Sequence, residues 1–286
     1  MQDAKIPLGL LIQEGEQILQ TAGIEDPRRE AQLLIAAALK KNMTEFFLMD
    51  RNGLVDCVQC RQFFARRAKR EPFAYILQEQ GFWSLDLAVS PATLIPRADS
   101  EALIEALLKF LPKRDERYQF LDLGTGTGCL LLAALSEYPN AFGIGIDKVL
   151  DAVILAQRNA QYCHLNQRAA FLNGHWADAL KGRFDVILSN PPYIRQKELL
   201  KLMPEVKEYE PMSALDGGGD GLEAYRYICN QAVDLLSENG ILIFELGIEQ
   251  DQEVSAIAVS KGLSVVQIQQ DLNGCIRALV LSRGRI

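Results

Sequence analysis

Between residues 7 and 78 apolar positions return every three or four residues, at Leu10, Leu11, Ile18 and Leu19, then Ala31, Leu33, Leu34, Ala37 and Leu39. A helix turns once in about 3.6 residues, so this spacing gathers the apolar side chains on one face of each short segment. Residues 1–80 are therefore expected to form a small helical bundle with its own core. Within "GIEDPRREAQLLI", Asp26 is the expected N-cap and Pro27 the first helical residue, because proline has no amide hydrogen to leave unsatisfied there. From Gly81 to Arg97 the pattern changes to alternation broken by Pro91 and Pro96, which predicts a hairpin or extended linker over 81–97. Helical spacing resumes from Ala98 to Leu111.

From Gln119 onward strands and helices alternate. "QFLDL" runs into "GTGTG", "CLLLAALSEY" is a helix, "AFGIGID" a strand, "LDAVILAQRNAQYC" a helix, and "AAFLNG" and "FDVILSN" are strands. "GLEAYRYICNQAVDLLSENG" predicts a helix stopped at Gly240, followed by strand "ILIFELG", a last helix, and strands "LSVVQIQQ" and "IRALVLSR". Near-continuous apolar strands joined by helices predict an α/β domain over 98–286, with a mostly parallel sheet covered on both faces.

Charge narrows the function. The chain has 37 carboxylates against 30 Lys and Arg, a net charge of -7, which argues against tight non-specific grip on a nucleic-acid backbone. The one basic run, "RQFFARRAKRE" at Arg61–Glu71, reads more simply as the solvated face of a helix. The apolar run near the N-terminus is broken by Gln13, Glu14 and Glu16 and makes neither a signal peptide nor a membrane span, so a cytoplasmic location is expected. Six scattered cysteines suit reduced thiols; Cys57 and Cys60 form a C-x-x-C, but with only His164 and His175 in the chain no metal site is expected.

The candidate chemistry lies at strand ends. Gly124, Thr125, Gly126, Thr127 and Gly128 follow one strand and open a helix, where glycine lets backbone amides approach a ligand. Asp147, 19 residues after Gly128, ends the next strand, where a carboxylate can accept hydrogen bonds from ribose hydroxyls. A tight strand-to-helix turn would use the same glycines, but the pairing with Asp147 favours a nucleoside cofactor. The spacing G-x-G-x-G, unlike G-x-G-x-x-G, suits one without phosphates, and S-adenosylmethionine fits. Asn190, Pro191, Pro192 and Tyr193 close the fourth strand on the same edge. The Asn190 side-chain oxygen and the Pro191 carbonyl can each accept one N–H of a substrate amino group, the prolines stiffen that carbonyl, and Tyr193 can pack on a planar group. Orientation would then supply most of the acceleration. Trp176 is a candidate adenine contact or an ordinary core residue, and Glu245, before Gly247, is a candidate facing the same edge.

"FWSLDLAVSPATLIPRADSEALIE", "FLDLGTGTG", "GIGID", "SNPPYI" and "EPMSALDGGGDGLEAYR" together resemble the bacterial release-factor glutamine methyltransferases, the PrmC/HemK family. The resemblance implies a class I, Rossmann-like methyltransferase domain using S-adenosylmethionine, behind an N-terminal helical domain that helps hold the release factor. It implies N5-methylation of the glutamine in the release factors' GGQ motif. By motif, Gly124–Gly128, Asp147, Trp176 and Asn190 would contact the cofactor, and Asn190–Tyr193 the glutamine. Ala98 and Ser100 replace the usual proline and threonine of IPRPDTE, and His175 stands where an acidic residue often precedes the tryptophan. Cys275 and Ile276 stand near the end where a polar pair is common. The alternatives are amino-group methylation of a ribosomal-protein glutamine or of nucleic acid, or binding of S-adenosylmethionine without turnover.

Overall fold

The computed structural model describes residues 4–271 and 273–284. The chain divides into two compact units, one of residues up to Gln78 together with Met203–Tyr209, the other of Glu79–Leu202 and Glu210 onward.

The first unit comprises β1 (Lys5–Pro7), α1 (Leu8–Thr21), α2 (Pro27–Ala38), α3 (Met43–Phe47), β2 (Leu54–Asp56), α4 (Val58–Arg67) and α5 (Phe73–Leu77), with β1 and β2 paired antiparallel. Leu11, Leu19, Leu34, Ile35 and Phe64 are buried together, the outcome of the three-and-four spacing. Pro27 does open α2, but Asp26 does not cap it: its backbone is left-handed at φ 48 and its side chain makes no cap hydrogen bond. Cys57 and Cys60 are buried in this core without a disulfide, donating to the carbonyls of Ala4 and Asp56, and burial pushes the Cys60 thiol up to about 11. It stays protonated at neutral pH and is a poor nucleophile.

The basic run is paired rather than free. Arg61 meets Glu14 at 2.7 Å, Arg66 meets Glu71 at 2.5 Å, and buried Arg67 lies between Glu30 at 2.6 Å and Glu205 at 3.1 Å. Arg70 also reaches Glu205, at 2.8 Å, and the Tyr209 hydroxyl donates to the Lys69 carbonyl at 2.7 Å, which ties Met203–Tyr209 to this unit.

The second unit begins with a hairpin, β3 (Glu79–Phe82) and β4 (Leu85–Ala88), then a 3-10 turn at Ala98–Ser100 and α6 (Glu101–Phe110). There follow β5 (Gln119–Leu123), α7 (Cys129–Glu137), β6 (Phe142–Asp147), α8 (Leu150–Tyr162), β7 (Ala169–Asn173), β8 (Phe184–Ser189) and α9 (Gln196–Leu199). After α10 (Pro204–Tyr209), which belongs to the first unit, come α11 (Glu223–Leu235), β9 (Leu236–Glu245), α12 (Asp251–Ser260), β10 (Ser264–Gln270) and β11 (Ile276–Ser282). Phe82 and Leu87 of the hairpin are buried in this unit's core.

Among the described residues the sheet runs β10-β11-β9-β8-β5-β6-β7, with neighbours parallel from β9 to β7 and antiparallel at β11 and β10. Alternate residues serve opposite faces: Phe120, Val186, Leu188 and Ile243 join one core, Leu121, Ile187, Leu242 and Phe244 the other. Strands clad on both sides need apolar residues at nearly every position, and this is why they are legible as runs. The order reverses around β5, flanked by β6 and β8, and in such sheets the crevice for ligands opens at the carboxyl ends of those strands.

The end of α11 differs from expectation. The helix ends at Leu235, and residues 236–240, expected to be its last turn, open β9 instead. Gly240 does not stop a helix; it lies inside the strand, in the register shift between the Phe184–Leu236 and Val186–Ile241 pairs, where a Cβ would come within 2.7 Å of the Phe184 carbonyl oxygen. A glycine at a bulge admits that close backbone approach.

Candidate active site

The turn after β5 is held by its own backbone. Gly124, Gly126 and Gly128 have φ of 76, 54 and 82, a left-handed conformation that side chains resist. The Gly124 and Thr125 amides both donate to the Ile146 carbonyl at 2.9 Å, and the Gly128 amide to the Thr125 carbonyl at 2.8 Å. At Gly128 a Cβ would also press on Phe171, Ala156 and Leu132 at 3.2–3.3 Å, so packing of α7 against α8 and β7 fixes this residue as glycine. From α8, buried Asn159 donates to the Thr127 and Ala88 carbonyls and accepts from the Ala88 amide, tying the hairpin to the glycine turn.

Asp147 ends β6 half-buried. Its Oδ2 accepts from the Gly126 amide and its Oδ1 from the Val149 amide, both at 2.9 Å. Each carboxylate oxygen keeps lone-pair capacity for a further donor. Trp176, in a left-handed conformation at φ 48, lays its ring over Gly124, 3.4 Å from where a Cβ would stand. His175 sets its ring edge-on to Trp176 and Tyr227 and places Nδ1 3.2 Å from Asp178. Gly124–Thr127, Asp147, Trp176, Asn190 and Pro192 line one cavity, together with Thr93, Arg97 and Ser100. Gly128, Pro191 and Tyr193 are not in that lining: Gly128 faces its helix neighbours, Pro191 is buried, and Tyr193 turns its hydroxyl to Glu245.

The clamp segment is fixed on every side. Ser189 Oγ donates to the Leu123 carbonyl at 2.7 Å, fastening the end of β8 to β5. Asn190 Nδ2 donates to Ser100 Oγ at 3.2 Å, Ser100 Oγ donates to Glu245 Oε2, and the Tyr193 hydroxyl donates to Glu245 Oε1 at 3.1 Å. Gln250 Nε2 holds the Tyr193 carbonyl at 3.1 Å, and Ile194 exchanges backbone bonds with Leu215 and Gly217. Arg277 donates to the Leu246 carbonyl and to Asp99, both at 3.1 Å. Burial pushes the Glu245 carboxyl up to about 6 against the pull of Ser100, Arg277 and Tyr193, so it remains ionised at neutral pH. Burial and the nearby Glu245 charge raise the Tyr193 phenol, which stays protonated.

Glu210 was not evident from the sequence. Its side chain is buried, accepts from the Ile95 amide at 3.0 Å and pairs with Arg97, bracing the strap that carries Ser100. No local pattern announces such a residue, because its partners lie more than a hundred positions away.

Asp122 sits wholly buried in β5 beneath the glycine turn, accepting from Thr125 Oγ1 at 2.6 Å. Burial pushes its carboxyl up to about 7, with Thr125 pulling it down and Asp147 pushing it up. The folded chain thus keeps a proton that an unfolded aspartate, with a pKa of about 3.9, has already released. With more protons bound in the folded state, this group's contribution to stability falls as pH rises from about 4 to about 7 and then levels. Asp122→Asn, which cannot ionise, is expected to show a shallower fall in Tm between pH 5 and 8 than the unsubstituted protein; parallel Tm profiles would contradict this.

Two family models match the chain, the PrmC N-terminal domain over residues 11–77 and the methyltransferase small domain over residues 99–208. The chain is 42% identical over 284 residues to a release factor glutamine methyltransferase of Rhodospirillum rubrum, covering 99% of this chain and 87% of that one. It is 41% identical over 270 residues to one of Agrobacterium fabrum, covering 93% of each. A methyltransferase from Pyrococcus furiosus shares the fold, with a TM-score of 0.54 at 21% identity over 79% of this chain and 98% of that one. The class I methyltransferase sheet with a helical N-terminal domain, expected from the sequence, is the fold observed. With identity of this level sustained over nearly its whole length, the chain belongs to the release factor glutamine methyltransferase family.

Proposed function

We propose that this protein transfers the methyl group of S-adenosylmethionine to the side-chain amide nitrogen of the glutamine in the GGQ motif of peptide-chain release factors, acting in the cytoplasm. The observation that carries this reading is the Asn190 amide, anchored through its nitrogen to Ser100 at the wall of the cavity that Asp147 and the glycine turn also line. The residues suit the cofactor. Asp147 has capacity for two ribose hydroxyls, Trp176 offers a flat apolar face for adenine, and Gly126 presents backbone to the cavity without a side chain of its own.

When bound, S-adenosylmethionine supplies a methyl group made electrophilic by its sulfonium. An amide nitrogen is a weak nucleophile because its lone pair is delocalised into the carbonyl. Asn190 Oδ1 and the Pro191 carbonyl accept its two N–H bonds and hold the nitrogen in one orientation. As the C–N bond formed and the methyl–sulfur bond broke, with the neutral thioether leaving, the nitrogen would become positive; these two dipoles would stabilise that charge and hold the N–H whose proton is then lost to water. Pro192 keeps the Pro191 carbonyl in place through its fixed φ, and Tyr193, locked by Glu245, packs on the planar group. Fixing the reactants for in-line displacement is the main contribution of such a site.

The carboxylate-paired arginines and the net charge of -7 favour a protein acceptor over nucleic acid. Among the described residues no helix is long and apolar enough to cross a membrane. The test is methyl-labelled S-adenosylmethionine offered with a release factor, total RNA, DNA and ribosomal protein in parallel. Label is expected in the release factor; greater incorporation into RNA, DNA or ribosomal protein would contradict the proposal.

A further inference from the structure

The hydrogen bonds behind Asn190 have a direction. The Ser100 hydroxyl has one hydrogen, and an ionised carboxylate can only accept. Bonded to Glu245 Oε2, that hydrogen is committed, so Ser100 Oγ can only accept from Asn190. The Asn190 nitrogen must therefore turn inward and its Oδ1 outward. A flipped amide would face Ser100 Oγ with an oxygen, lone pair against lone pair.

Glu245 is held for this task from several elements. It lies 1% exposed at the end of β9, with Tyr193 on its other oxygen and the Tyr225 hydroxyl of α11 donating to its backbone carbonyl at 2.8 Å. Arg277 of β11 supplies the nearby positive charge while spending its own donors on Asp99, Asp271 and the Leu246 carbonyl. A buried carboxylate is costly, and here both its oxygens are met. Neither Glu245 nor Ser100 donates toward a glutamine side chain in this arrangement, so their effect passes through Asn190 and Tyr193.

We propose that Ser100 and Glu245 are positioning residues, a one-way hydrogen-bond relay that keeps the Asn190 side chain with its oxygen facing the acceptor nitrogen. The proposal rests on the glutamine-clamp reading of the site. Threonine, the usual family residue at position 100, keeps the same hydroxyl, whereas alanine ends the relay.

Two readouts test it. The first is methyl transfer to a release factor under saturating cofactor. Ser100→Ala is expected to lower kcat roughly tenfold or more, with KM for the release factor and Kd for S-adenosylmethionine within about twofold. Ser100→Thr is expected to restore kcat, and Glu245→Gln, whose amide can bond Ser100 in either sense, to lower it. The second readout needs no turnover: hydrogen exchange at the Asn190 side-chain NH2, followed by 15N NMR. Exchange is expected to quicken roughly tenfold in Ser100→Ala and to return in Ser100→Thr. Unchanged exchange and kcat in Ser100→Ala, or a Thr variant as impaired as the Ala variant, would overturn the relay. Absence of transfer by every form, with the exchange pattern as expected, would count for the relay and against the release factor as acceptor.

Discussion

Asn190→Ala is expected to lower methyl transfer to a release factor by roughly a thousandfold while Kd for S-adenosylmethionine changes less than about tenfold. The size follows from what is lost. Alanine removes one of two acceptors for the amide nitrogen, and with it the dipole that faces the developing positive charge. It also frees the glutamine to rotate away from the line of displacement. Buried Pro191 and the bond from Ser189 to Leu123 keep the backbone in place, so the cofactor side should be largely spared. Single-turnover rates and calorimetric titration of the cofactor separate the two effects. Equal loss of both would mean that Asn190 shapes the cofactor site and is not a clamp.

The second large effect falls on binding. Asp147→Ala removes the acceptor for the Gly126 and Val149 amides, which loosens the glycine turn and the start of α8 together. It also removes the oxygens assigned to the ribose hydroxyls. Hydrogen bonds to a charged group contribute about 1.5–3 kcal/mol each, so Kd for S-adenosylmethionine should rise by roughly a hundredfold or more. At saturating cofactor kcat should fall far less, because Asp147 does not touch the acceptor. Calorimetric titration measures the first and initial rates the second; an unchanged Kd would contradict the ribose assignment.

Much of this site was legible because its parts are local. A strand covered on both faces is apolar nearly throughout, so "QFLDL" and "FDVILSN" stand out, and the residues that break the pattern at their ends are the ones that line the cavity. Where distant contacts override local signals, the sequence misleads. "LLSENG" has the composition of a helix end with a glycine stop, yet Leu236 pairs with Phe184, and residues 237–240 fall in the register shift before Ile241 pairs with Val186. Asp26 has the residue type of a cap, but its left-handed backbone goes with a side chain that makes no cap bond.

The residues hardest to foresee act across long separations. Ser100 and Glu245 are 145 positions apart; their own segments mark each of them, but nothing local pairs them, and only the sheet brings the end of β9 beside the turn before α6. The arginines of α4 were expected on the solvated face of a helix, but Arg67 is buried and finds Glu205 from 138 positions away, so its charge is spent inside the first unit.

The central claim is that one glutamine amide is the acceptor. The direct measurement offers the protein methyl-labelled S-adenosylmethionine with a release factor and with the same release factor carrying a replaced GGQ glutamine, followed by mass spectrometry of the product. The account predicts one methyl group, on the side-chain nitrogen of that glutamine, and none on the replaced factor. Equal labelling of both factors, or a methyl group found on any other residue, would contradict it.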